Sequence, residues 1–245
     1  MSDDEPLASS DRDGGRAVLW DPELAARSPL FWPIADAMNA LATAHGDAAS
    51  FPSPETIDAA LGARAGVRFE RQRPKPRRRR SGQPDSEPMY DARIAREGCV
   101  PTRPGSWHDL MNALVWATFP AAKRALHARQ HDLVVPAAPG ESARRPRELD
   151  ALALLDEGGV VVVTARPLED EDALTAAIAN GDAKAIVFGH AIYEGVVLGR
   201  PAPLASVVCV VGEADGGLAA VVADRAQIID PRAMLRVRAD ERLVP

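Results

Sequence analysis

The stretch SWHDLMNALVWATFPAAKRALHARQH, residues 106–131, holds two of the chain's four tryptophans and three of its five histidines. Its apolar residues recur at helical spacing. With Ser106 as N-cap, Trp107, Leu110, Met111, Leu114, Val115 and Thr118 gather on one side of a helix. At about 100° per residue Trp116 falls on the opposite side, near Asp109. A helix with large apolar groups on both sides packs between layers rather than on a surface, so the sequence predicts a central buried helix over 106–119. Pro120 ends it and suits the first turn of a second helix, to about Gln130, which makes a helical hairpin.

Within that apolar frame the polar positions carry the interest. His108 and Asn112 are four apart and share a stripe of the helix. His108 lies in the first turn, where the positive end of the helix disfavours imidazolium. A neutral imidazole is the form that serves as a base or binds a metal. Asp109 stands at the third helical position, as a weaker version of a capping-box Glu. His127 and His131, four apart on the second helix, read as exposed.

Working outward, Val67, Arg68 and Phe69 read as a short strand, preceded by helices over 31–44 and from Pro54 to near Gly62. The run RQRPKPRRRR at 71–80 has Arg or Lys at seven of its ten positions. Continued to residue 88 it is rich in proline, which predicts an exposed, mobile, basic loop. This loop is the one place where nucleic acid could be held, through its phosphates. The chain's net charge of −6 argues against broad nucleic-acid affinity. Residues 1–16, rich in Asp, Ser and Gly, predict a disordered N-terminus. No apolar run approaches the roughly 18 residues of a membrane span, and the acidic N-terminus lacks the apolar segment of a signal peptide. The expectation is a cytoplasmic protein. Cys99 and Cys209 stand far apart, without the spacing of a disulfide framework or zinc knuckle.

The segment 149–165, LDALALLDEGGVVVVTA, reads as two apolar runs around a Gly-Gly turn, and predicts a β-hairpin. A helix follows over 169–180, stopped by Gly181, and then a strand over 184–188. That strand runs into GHAIYEG, where His190 and Glu194 are four apart and share a face whether the segment is helix or strand. A further strand over 205–211 and a helix over 217–228 complete an α+β fold. It is read as a single domain over 17–245, with a small mixed or antiparallel sheet.

Tyr90-Asp91-Ala92-Arg93-Ile94, Val100-Pro101-Thr102-Arg103, and WHD-x2-NAL-x-W-x2-FP through Lys123 together resemble a bacterial family, domain of unknown function 3025. The resemblance continues through Leu149-Asp150-Ala151-Leu152, Asp156-Glu157 and Phe188-Gly189-His190-Ala191 with Glu194. Leu149 and Leu155 depart from the Arg and Phe that the family pattern carries there. The resemblance implies no activity.

The residues themselves suggest one. No GxSxG, HExxH, P-loop or dinucleotide fingerprint is present. His108, Asp109 and Asn112 facing His190 and Glu194 would make a hydrolase-like pocket. In it His108 or His190 is the base, Asp109 or Glu194 its orienter, and Asn112 a donor to developing negative charge. A divalent metal ion is the candidate cofactor, with His108, His190 and Glu194 as candidate ligands. The reading from a different class is a non-enzymatic binding protein whose buried polar residues are structural. Burying an unpaired polar group costs about 1–3 kcal/mol, so each polar pair needs partners and the two pairs are expected to converge.

Overall fold

The computed structural model describes residues 12–13, 16–46, 50–72, 90–133, 146–166, 168 and 170–244. Most of the N-terminal stretch and residues 73–88 of the basic loop lie outside these. The backbone at 12–13 pairs antiparallel with 16–17. Arg71 belongs to a strand rather than a loop and pairs with Glu55.

Pro29–Ile34 form a 3-10 turn ahead of α1 (Ala35–His45). The single helix expected over 31–44 is therefore split, and Pro33, which has no N–H to donate, stands at the break. Next come α2 (Pro54–Ala65), β1 (Arg68–Arg71), α3 (Tyr90–Glu97) and β2 (Cys99–Thr102). α2 runs on past Gly62 and closes at Gly66 in the left-handed conformation. β1 and β2 pair in parallel.

The central helix α4 (Trp107–Thr118) has Ser106 as its N-cap, accepting from the Asp109 N–H. Both of its tryptophans are fully buried, on opposite sides. Trp107 donates its indole N–H to the Val18 carbonyl and stacks on Trp20. α5 (Pro120–Leu133) follows directly and completes the helical hairpin. Asp215 accepts from the Ala121 and Ala122 N–H groups and so satisfies the first turn of α5. His127 on α5 is buried, not exposed, because its ring stacks on Trp116 and its Nδ1 meets Asp91.

α6 (Arg147–Gly158) and β3 (Gly159–Thr164) occupy the segment read as a hairpin. Leu149, Leu152 and Leu155 recur every three residues and are buried along one helical face. Glu148 and Asp150 lie in the first turn, which favours acids. A short apolar run fits helix or strand alike, and here the first run is helix and only the valines are strand. Asp150, expected on a strand face, sits half-buried on α6.

The remaining elements are α7 (Glu171–Ala179), β4 (Ala183–Val187), α8 (His190–Val197), β5 (Leu204–Val210), α9 (Ala214–Ala223) and β6 (Arg236–Arg238). Among the described residues β4, β3, β5 and β6 form a mixed sheet in that order. β3 is antiparallel to β4 and parallel to β5, and β5 is antiparallel to β6. Buried side chains from Trp20 to Leu243 form one continuous core. The fold is α+β. No helix among the described residues is long and apolar enough to cross a membrane.

One crossing brings distant segments together. The Phe188 and Gly189 N–H groups both donate to the Gly159 carbonyl. A methyl group on Gly189 would lie inside contact distance of Gly159 N, Glu157 O and Gly158 Cα. At Gly158 a methyl group meets nothing within 4 Å. Gly189→Ala is expected to cost about 1–3 kcal/mol as backbone is pushed aside. Gly158→Ala, at the end of a helix, is expected to be neutral or to stabilise by about 0.4–1 kcal/mol. Urea denaturation of the two variants checks the contrast, and equal stabilities would contradict it.

Candidate metal centre

Three chain segments supply the site. α4 offers His108 in its first turn. The end of α6 offers Asp156 and Glu157. α8 begins at His190, and Glu194 follows one turn later. The close apposition at Gly189 sets the end of α6 against the start of α8, and α4 packs alongside α8.

His190 is 3% exposed, and its Nδ1 lies 2.9 Å from the main-chain oxygen of Asp156. A carbonyl oxygen can only accept, so Nδ1 carries the proton and the neutral ring turns its Nε2 lone pair forward. The Nδ1 of His108 lies 2.9 Å from Glu194 Oε2. That carboxylate is held in turn by Arg200, 3.2 Å from its other oxygen. The same reasoning leaves Nε2 of His108 as the forward atom. The two Nε2 atoms then face each other at 3.1 Å. Two neutral rings so oriented oppose lone pair to lone pair, and a positive centre between them removes the repulsion.

Glu157 completes the group. Its carboxylate reaches to 3.3 Å from His190 Nε2 and 4.0 Å from His108 Nε2. The ligand atoms of His108, Glu157 and His190 all lie within 4.8 Å of one another. Two nitrogens bound at 2.0–2.1 Å to a tetrahedral zinc ion stand about 3.3 Å apart, close to the spacing found. Two imidazoles and a carboxylate make a donor set for zinc or a similar transition ion. Both rings have their second nitrogen tied to an acceptor, the arrangement that orients metal-bound histidines. His108 and Glu157 retain solvent exposure, so the site opens to the outside.

The electrostatics differ from the expectation for His108. The hydrogen bond to Glu194 raises its pKa, against the downward push of burial. A helix end contributes about 0.3–1 kcal/mol, whereas a hydrogen bond to a charged group contributes about 1.5–3 kcal/mol. The carboxylate therefore wins. Burial pushes His190 down to about 3, opposed by the charge of Asp156. Burial raises Glu157, and the hydrogen bond from His108 lowers Glu194.

The structure thus brings together His108, His190 and Glu194, from the expected set. Glu194 does not orient His190, its neighbour on α8; it orients His108, and Glu157 takes the place facing the two nitrogens. Asp109 and Asn112 are engaged elsewhere. Asp109 accepts from the backbone and guanidinium of Arg103. Asn112 donates to the Tyr90 hydroxyl, and its Oδ1 has no hydrogen-bond partner among the described residues.

Sequence reasoning missed Glu157, Asp156, Lys123 and Arg200 as parts of the site. Lys123 carried a signal. It stands with Ala122 and Leu126 on the apolar face of α5, and its side chain is fully buried against Asp156 at 2.5 Å. Glu157 carried only its place in the Asp156-Glu157 step of the family resemblance, because its helix read as a turn.

A model of the family described as "Protein of unknown function (DUF3025)" matches residues 79–243. No curated protein and no solved structure matches the chain.

The two histidines give stability opposite dependences on pH. His190 stays neutral when folded but takes up a proton in the unfolded chain below about 6.5, so stability is lost as pH falls from there toward 3. His108, with its pKa raised, contributes stability that is full below its unfolded value and is lost as pH rises through the folded value. Urea unfolding is expected to weaken between pH 6.5 and 4, and His190→Phe to flatten that slope. An unchanged slope in the variant would refute the assignment.

Proposed function

The chain belongs to the family DUF3025, and we propose that it is a hydrolase-like enzyme that binds one divalent transition-metal ion through His108, His190 and Glu157. The observation that carries this reading is the 3.1 Å approach of the two Nε2 atoms, with each Nδ1 already committed to an acceptor. All the residues involved fall within the stretch that the family model matches.

A bound divalent ion would supply Lewis acidity toward a carbonyl or phosphoryl oxygen and would acidify a bound water. The chain's own residues do the rest. His190 is held by the Asp156 carbonyl and by its burial, so it presents a lone pair at any pH above its depressed pKa. His108 is held by Glu194, and Arg200 fixes that carboxylate. Glu157, half-exposed, has one oxygen toward each imidazole and leaves the solvent side open for a substrate. Three protein donors with a remaining open position is the pattern of catalytic rather than structural zinc. Esters, amides and phosphodiesters are the substrate classes that such chemistry serves.

A second reading draws on the raised pKa of His108. A protonated His108 would donate its Nε2–H to His190 Nε2 and bridge the gap without any ligand. The protein would then be a non-enzymatic binding module with a structural imidazole pair.

Elemental analysis of the purified protein, before and after chelator dialysis, separates the two. About one equivalent of a transition metal is expected, with His190→Ala and Glu157→Ala folded but unable to retain it. Hydrolysis of chromogenic ester and phosphodiester substrates is expected to stop with chelator and return with Zn²⁺. A wild-type protein that neither retains nor takes up Zn²⁺ leaves the structural imidazole pair.

A further inference from the structure

Lys123 on α5 is a buried charge that makes no contact with the donor atoms themselves yet pairs with the residue next to Glu157. Its side chain is 0% exposed. Its ammonium lies 2.5 Å from Asp156 Oδ1, 5.6 Å from the centre of the Trp116 ring and 5.9 Å from that of Phe188.

These three neighbours belong to the three segments that carry the metal donors. Trp116 stands on α4 with His108. Asp156 precedes Glu157 at the end of α6, and its main-chain oxygen fixes His190. Phe188 lies two residues before His190 in the crossing against Gly159. One ammonium therefore lies against a residue of α4, of α6 and of the short link that leads into α8. Stability alone is a poor reason for such a group, since a buried ion pair replaced by apolar residues of similar volume often leaves a protein as stable or more so. A fixed point between three segments is a better one, because the Coulomb attraction and the aromatic faces restrict where each can lie.

We infer that the Lys123–Asp156 pair is a positioning device for the metal centre, locking residues 156 and 157 against His190 so that the donors keep their spacing. The inference rests on the metal-binding reading given above. Lys123 and Asp156 are positioning residues, since only the main chain of Asp156 and its neighbour Glu157 touch the donor set.

Single substitutions at Lys123 mix two effects, because removing one positive charge attracts a cation while loosening its ligands. The double variant Lys123→Met/Asp156→Leu removes both charges at once and leaves net charge unchanged. It also keeps the Asp156 main-chain oxygen in place as an acceptor. Titration with Co²⁺, followed by its visible absorption bands, reads affinity and ligand geometry together. The double variant is expected to stay folded, to bind Co²⁺ roughly tenfold to hundredfold more weakly, the usual loss for outer-shell changes, and to show altered bands. Asp156→Asn, which keeps the size and one acceptor oxygen but leaves the Lys123 charge unpaired, is titrated alongside and is expected to weaken Co²⁺ binding at least as much. Wild-type affinity and bands in whichever of these variants folds would overturn the positioning role. Absence of Co²⁺ binding by the wild type would overturn the metal reading itself, and the two failures are thereby distinct.

Discussion

The close passage of Gly189 over the end of α6 is the constraint on which the site depends. Any side chain at residue 189 must push aside the backbone of residues 157–159, which already occupies the space. The Gly159 carbonyl accepts two N–H groups from the strand end, so the crossing is bonded as well as packed. It converts the exit of β4 into the start of α8 at the point where α6 becomes β3. His190, Asp156 and Glu157 are neighbours because of it, although 33 residues separate Glu157 from His190 in the chain.

Energetics explain why the arrangement is asymmetric. His190 is buried and neutral, kept so by desolvation. His108 is partly exposed and paired with a carboxylate, so it favours the charged form. One ring keeps a lone pair forward, and the other takes up a proton more readily. Glu157 completes the set from the solvent side. Below these residues lies Lys123–Asp156, where breaking one partner of a buried pair costs about 3–5 kcal/mol. The polar layer is thus anchored in the core rather than laid on the surface.

Much of the frame was legible because it rests on local periodicity. The central helix, its Ser106 cap, the Pro120 start of the next helix and the strands around residues 185 and 207 follow from spacing that neighbours in sequence enforce. The reading of 149–165 as a hairpin went astray for a definite reason. LDALALL satisfies both alternation and helical spacing, and the choice between them lay with the packing of Leu152 and Leu155 against the core. His127 was read as solvent-facing from the basic residues around it, yet Trp116 and Asp91, from two other helices, bury it.

For the site, the sequence by itself marked His108, His190 and Glu194 as polar groups in apolar surroundings that required partners. Pattern and cost were enough for that, since both are properties of a residue and its near neighbours. Which group partners which was decided only in three dimensions. Glu194 serves His108 rather than His190, Asn112 turns to Tyr90, and Glu157 enters from a helix that did not look like one. Hydrogen bonds hold over about 3 Å, and such distances between segments 30 to 90 residues apart exist only after the glycine crossing and the core have set the backbones in place.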